Sequence, residues 1–375
     1  MNETLVVKPV ATKRDRRRFQ RFPWSVYSDD RNWVPPILAQ ERALLGWGTH
    51  PFFEHARCAT FLAERDGRVV GRIAVLINDI HNAKYDERRG FFGFFECIDD
   101  SAVVHALLHA GESWLRNQGM TSIRGPVNPS LNYTCGLLVE GFDRPPCVFM
   151  TYNPPYYADL IDSCGFAKSQ DLYAYEMDAA LLAKATQRYK PAVLAALRHS
   201  NLVVRPMDSK TYQRDIEIYI DIYNRALDGT WGFTPLQPGE ARHIARDLRH
   251  VITPRFAIFA EMDGRPIGAL LALLDYNQIL RKCNGRLFPL GLLRFLLGRR
   301  RITTVRAMGM TMVPGFQQAG LAVVLMDDLI AATEQRGIDR YEFSWVLESN
   351  ARSRGTLERL GTKITAIYRL YDKAL

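Results

Sequence analysis

The chain reads as a mixed α/β protein built from two tandem units, each a mixed, mostly antiparallel sheet flanked by helices. Three observations lead there. A strand–turn–strand device occurs twice, as Ala59–Glu64, Asp66-Gly67 and Val69–Asp79, and again as Arg255–Glu261, Asp263-Gly264 and Pro266–Asp275. Each hairpin is followed by another strand and then by a helix with apolar residues at helical spacing. Each half then closes on an asparagine, a short helix, a glycine and a last strand.

Taken in order, the first unit continues from its hairpin into the strand Phe91–Ile98 and the cap Asp99-Asp100-Ser101. The helix Ala102–Asn117 follows, with Val104, Leu107, Leu108, Trp114 and Leu115 on its apolar face, and then the strand Ser122–Gly125. Asn153, the segment Ala158–Asp162, Gly165 and the strand Tyr173–Met177 complete it. In the second unit the strand Ile302–Met312 breaks at Pro314-Gly315, and a helix repeats Leu321, Val324, Leu325, Leu329 and Ala332. A strand Asp339–Leu347, Asn350, the helix Thr356–Leu360, Gly361 and the strand Lys363–Tyr371 end the chain. The expected units span 1–180 and 200–375, with a helical linker over 181–199.

The 375 residues suffice for two cores, and 47% hydrophobic with 24% charged residues is a globular composition. No apolar run approaches the ~18–20 residues that span a bilayer. The amino terminus places its apolar patch before its charges, the wrong order for a secretory signal. Six cysteines without a C-x-x-C pair argue for reduced thiols in a cytoplasmic protein, with no metal site and no disulfide framework. The net charge of +9 gathers in two runs, Lys13–Arg21 and Arg299–Arg301. No helix-turn-helix or aromatic-basic pattern goes with it, so nucleic acid is not expected. The remaining attractors are the phosphates of a ligand, an anionic membrane surface, or simply water.

The segment Gln317-Gln318-Ala319-Gly320-Leu321-Ala322 is the most informative. Gly320 permits a sharp turn, Ala322 keeps the first helical turn free of bulk, and the backbone N–H groups at the positive end of the helix suit a pyrophosphate. Its pattern Q-x-x-G-x-A after a strand resembles the acyl-CoA loop of the GNAT acyltransferase superfamily. The following N-A-R-S-R-G-T-L-E-R-L-G, from Asn350 to Gly361, is similar to that superfamily's second acyl-CoA wall, so Asn350 and Ser353 join the expected cofactor contacts. The first unit has Cys-Ile-Asp-Asp-Ser-Ala at the matching place, without glycine and with two carboxylates that would repel a pyrophosphate. It resembles the degenerate half of tandem GNAT proteins, on the acceptor or lid side. With His81-Asn82, the run Gly90-Phe91-Phe92-Gly93-Phe94-Phe95-Glu96 and Asn153-Pro154-Pro155-Tyr156-Tyr157, most of the chain also resembles a bacterial tandem N-acetyltransferase-like family whose relatives include ceramide synthase-like N-acyltransferases.

The resemblance implies direct attack of an amine on an acyl-CoA thioester, with acyl-CoA as co-substrate. Backbone N–H groups at Met312 and Val313 would bind the developing oxyanion. A carboxylate at a strand end would take the ammonium proton. Glu348 fits by position, and Glu96, after Phe91-Phe92-Gly93-Phe94-Phe95, is costly to bury without purpose; facing water or pairing with a basic residue are its other readings. The tyrosine that many GNAT enzymes place seven residues after the motif asparagine is Leu357 here, leaving Tyr368 or Tyr371 as substitutes. Asn132, Tyr133 and Tyr152 lie in Asn- and Pro-rich segments that form either a ligand rim or ordinary turns. Trp231 and Phe233 line an acyl pocket or pack as core.

Between hairpin and strand, Gln278–Arg301 carries an apolar run flanked by cations. Leu287–Arg301 suits the interface plane of an anionic membrane, or else covers a core or an oligomer contact. The expectation is an acyl-CoA-dependent N-acyltransferase of the cytoplasm, peripheral on the inner membrane face, acylating a lipid-like amine such as a sphingoid base. A non-catalytic acyl-CoA-binding regulator, a Fem-like aminoacyl transferase and a small-amine N-acetyltransferase are the alternatives.

Overall fold

The computed structural model describes residues 4–287, 290–317 and 320–375, and divides into two compact units. The first comprises 1–172, 280–295 and 366–375, and the second 173–279 and 296–365. The last strand, Lys363–Ala374, therefore supplies most of its length to the first unit, which a cut near residue 180 does not anticipate.

In the first unit the strands Leu5–Pro9, Ala56–Arg65, Arg68–Asn78 and Arg89–Cys97 pair antiparallel in that order. Ser122–Gly125 adds parallel to Arg89–Cys97, and the chain's last strand closes on it antiparallel, Tyr371 opposite Gly125. Strands buried on both faces need continuous apolar runs, and Arg68–Asn78 provides one: every residue from Val70 to Asn78 is buried. The helix Ser101–Asn117 lays Val103, Val104, Leu107, Leu108 and Leu115 on this sheet. Gly111 lets it approach, because an added Cβ would lie 2.7 Å from Val75.

The second unit repeats the order. Leu202–Pro206, Ala257–Met262, Arg265–Leu274 and Thr304–Met312 are antiparallel, and Arg340–Leu347 is parallel to Thr304–Met312. The helix Leu321–Thr333 buries Leu321, Val324, Leu325 and Leu329. The helix Ala179–Leu197, expected as a linker, is an integral part of this unit. Its Lys190 reaches Asp327 at 2.6 Å and its Val193 lies against Gly320. The second short helix is longer than expected, running Ala351–Leu360.

The segment 280–295 is built into the first unit rather than hanging from the second. The Trp24 indole donates to Asn284 Oδ1 (2.5 Å), Leu38 N–H to Gly285 O (3.2 Å) and Arg281 to Arg31 O (3.0 Å). Gly285 is required there, since an added Cβ would meet the Trp24 ring at 2.8 Å and the backbone is left-handed.

The terminal strand is locked by a bidentate pair: Arg124 Nε and Nη2 donate to the two oxygens of Asp372, each at 2.7 Å, and Arg89 adds a third contact at 3.0 Å. Asp372→Asn removes the charge that the nearly buried Arg124 meets through two hydrogen bonds. The cost for a fully buried pair is ~3–5 kcal/mol; with Asp372 partly open to solvent, about 2 kcal/mol is expected. The urea midpoint reads it, and an unchanged midpoint would mean that the carboxyl-terminal strand does not share the unit's cooperative unfolding.

Candidate active site

The two parallel strands of the second unit pair only from Thr304↔Arg340 to Ala307↔Phe343, yet run on to Met312 and Leu347. Beyond Ala307 they part into a fork. Thr304–Met312 keeps its antiparallel neighbour throughout, with a bulge at Met308 where Leu271↔Gly309 is followed by Ala272↔Ala307. At the crotch, Arg306 is buried and donates to Ser344 Oγ (2.8 Å) and Ser344 O (3.1 Å), while the Ser344 hydroxyl bonds Glu342. That network, not foreseen from the sequence, pins the point of divergence.

Hydrogen-bond alternation decides which amides face the fork. Val313 N–H donates to Ile267 O at 2.9 Å. Its amide is thus spent in the sheet, which corrects the expectation that Val313 binds an oxyanion. The same alternation turns the Met310 and Met312 amides away from the Arg265–Leu274 strand and into the fork. Met312 remains a candidate, and Met310 joins it.

Below the fork, Gly320 stands as N-cap of Leu321–Thr333 in the left-handed region (φ 71°), and no side chain caps this terminus among the described residues. Gln318 and Ala319 lie outside the described residues. Gln317 is held by Arg352, whose Nη1 donates to its Oε1 at 2.6 Å. Arg352 belongs to the next helix, which Asn350 caps by accepting from Ser353 N–H at 3.1 Å. The motif's two halves are thereby tied together, although Asn350 and Ser353 bond each other. Leu321 is buried and Ala322 half-buried in the first helical turn. Glu348 follows the end of its strand, half-buried, its carbonyl held by Arg354 (2.9 Å).

The first unit makes the same fork and fills it. Its parallel pairing stops at Phe91↔Arg124, and the strand bulges at Phe94-Phe95. Residues Val127 and Asn128 cross the opening: Asn128 Oδ1 takes the Phe94 N–H at 2.6 Å, and an added Cβ on Gly93 would sit 1.7 Å from Val127 O. Asp100 accepts from Ala102 N–H (2.9 Å) and caps the following helix with a carboxylate that also meets Arg65. Both devices that stand open in the second unit are closed here by the chain itself.

Glu96 lies on that bulged strand. Its Oε2 accepts from Tyr27 (2.7 Å) and Tyr157 (2.8 Å), and Arg72 stands 3.8 Å from Oε1 but gives its 3.0 Å contact to Glu41. One cation thus serves two carboxylates, and Glu96 is the less neutralised. Some 13% of its side chain remains open. Tyr152 lies nearby, its carbonyl 3.3 Å from the Tyr27 hydroxyl and its own hydroxyl on Asp30 at 2.8 Å. Tyr133 packs edge-on to His50 and Phe52, and Asn132 N–H donates to Ser130 Oγ. Tyr368 and Tyr371 are buried in the strand of the first unit. In the second unit Phe233 is buried edge-on to Tyr223 (5.6 Å) and Trp231 is half-buried. Among the described residues no cluster of three or more His, Cys, Asp or Glu is placed to hold a metal.

Comparison with known proteins identifies the family. Residues 218–362 match the Acetyltransferase (GNAT) family. The whole chain is 35% identical to a bacterial ceramide synthase of Caulobacter vibrioides, covering 100% of this chain and 98% of that protein. The chain belongs to the GNAT family. It is also 32% identical to Protein YghO of Escherichia coli K12, covering 99% and 95%. Of solved structures, a tandem GNAT protein from the clavulanic acid biosynthesis pathway superposes with a TM-score of 0.56 at 12% identity, covering 99% and 98%. A GCN5-related N-acetyltransferase from Sphaerobacter thermophilus gives 0.52 at 12%, covering 99% and 95%. The tandem GNAT fold and an N-acyltransferase activity follow, with the acyl-CoA co-substrate and amine acceptor that the GNAT family uses.

Burial lifts the Glu96 carboxyl from 4.5 to about 7, against the opposing Arg72 charge and the two hydroxyls. The folded chain therefore holds a proton that the unfolded chain gives up. The contribution of this group to stability is full below pH 4.5 and is lost as pH rises through about 7. Glu96→Gln still accepts from both tyrosines but cannot ionise, so its thermal midpoint should lose that slope. A variant with the wild-type slope would assign the titration to another group.

Proposed function

We propose that the enzyme transfers a long-chain acyl group from acyl-CoA to the amine of a lipid-like acceptor, a sphingoid base, as a ceramide synthase does. The observation that carries the first half of this reading is the fork above a helix N-terminus that no side chain caps among the described residues. Met310 and Met312 would receive the pantetheine arm and acyl oxygen, and the amides of Leu321 and Ala322 the diphosphate, with Gln317 and Gly320 flanking that terminus. Glu348, at a strand end beside the fork, and Glu96, with its raised affinity for a proton, are the two candidate bases, and Tyr368 the candidate acid. Asn132, Tyr133, Tyr152, Trp231 and Phe233 are the proposed acceptor and acyl contacts. The 35% identity over full length to a protein named bacterial ceramide synthase supports the acceptor class.

The helix Leu290–Gly298 supports a lipid setting. Leu292, Leu293, Leu296 and Leu297 are 43–70% exposed along one face. Arg294, Arg300 and Arg301 of the same stretch are exposed. Four leucines open to water beside cations suit the interface of an anionic membrane, while among the described residues no helix is long and apolar enough to cross one. The protein would sit on the cytoplasmic face and take its acceptor from the bilayer.

Purified protein given palmitoyl-CoA and dihydrosphingosine should release thiol with formation of the N-acyl product, faster than with acetyl-CoA. Tight CoA binding without thiol release would favour a regulator. Preference for acetyl-CoA and a small amine would favour an ordinary N-acetyltransferase, and transfer from aminoacyl-tRNA the Fem-like alternative.

A further inference from the structure

The helix Tyr212–Leu227 of the second unit lies over the bulged strand, and it brings Tyr219 to the strand at one residue. A Cβ on Gly309 would stand 2.9 Å from the Tyr219 hydroxyl, its only neighbour within 4 Å. Gly309 is not left-handed, so the glycine is needed for the closeness of the phenol and not for backbone shape. The Tyr219 ring stacks on Tyr223 (6.1 Å, 25°), which meets Phe233, and the residue is half-buried with its hydroxyl against Gly309.

Thr311 is two residues further along the strand, with no bulge between, so its side chain lies on the same face as the Gly309–Tyr219 contact, about 7 Å away. Thr311 is 6% exposed, and its hydroxyl is buried without a partner. An orphaned buried hydroxyl costs stability, and folded proteins retain one where water or a ligand meets it. The orphaned Thr311 hydroxyl and the half-buried Tyr219 hydroxyl thus stand one pleat apart on one face of the strand whose Met310 and Met312 amides turn into the fork. A simple alkylamine would leave the Thr311 hydroxyl unmet and offer nothing to Tyr219.

We infer that Tyr219 and Thr311 read hydroxyl groups on the carbons flanking the acceptor's amine, and so select an amino alcohol over a plain amine. This rests on the proposed acyl transfer and sharpens its acceptor. Sites that hydrogen-bond a substrate hydroxyl reject the analogue lacking it far more strongly than apolar pockets discriminate by size.

The test compares kcat/KM for dihydrosphingosine and octadecylamine, with palmitoyl-CoA fixed. Wild type should favour dihydrosphingosine by about a hundredfold or more. Tyr219→Phe and Thr311→Val, which remove an oxygen or swap it for a methyl, should each reduce that ratio about tenfold, mainly by slowing the amino alcohol. Gly309→Ala keeps both hydroxyls but crowds the phenol away, and should mimic Tyr219→Phe without adding to it. A ratio near one in wild type, or an unchanged ratio in the variants, overturns the inference while leaving acyl transfer intact. Failure of wild type to acylate either amine overturns the acyl-transfer reading as well.

Discussion

Everything distinctive in the second unit follows from a backbone pairing that stops. Two parallel strands share a ladder as far as Ala307 and Phe343 and then separate, although each keeps extended geometry. Backbone donors withdrawn from a ladder need another partner. Here the bulge at Met308, the buried Arg306–Ser344–Glu342 network and the alternation fixed by Val313 and Ile267 leave the Met310 and Met312 amides aimed into one narrow opening. A helix begins just past it on a glycine, with no side-chain cap among the described residues. An extended, amide-bearing arm ending in a diphosphate is complementary to that pair of features.

The first unit serves as an internal control. It has the same order of strands, the same bulge and the same early end to its parallel pairing. Its own chain then takes up what the second unit leaves open, Asn128 at the Phe94 amide and Asp100 at the helix start. What that unit keeps instead is Glu96, a carboxylate between two phenols and half an arginine's attention. Two copies of one plan have diverged by small local substitutions: a glycine against an aspartate at a helix start, and an asparagine that folds back.

Much of this was legible in the residues. The hairpin turns Asp66-Gly67 and Asp263-Gly264, the apolar periodicity of Leu321–Leu329 and the breaker Pro314-Gly315 each state a local rule that the fold obeys. Within Asp99-Asp100-Ser101, read as a helix cap, it is Asp100 that caps. Less legible was anything set by partners distant in sequence. Nothing local says that residues 366–375 complete the first sheet, because Arg124 and Asp372 meet only in the fold. The docking of 280–295 through Trp24 and Asn284 is hidden for the same reason. The Val313 error came from treating neighbouring amides alike, when strand alternation sends successive ones to opposite sides. Tyr219 was missed although Gly309, a lone glycine within a strand, marked a close approach.

Where the cofactor lies decides whether the fork is the acyl-CoA site. A crystal structure with a non-hydrolysable acyl-CoA analogue tests it most directly. The pantetheine arm should run between Met308–Met312 and the end of the Arg340–Leu347 strand, bonded to the Met310 and Met312 amides, with its diphosphate on the amides of Leu321 and Ala322. An empty fork, or the analogue lying along Arg89–Cys97 in the first unit, would contradict it.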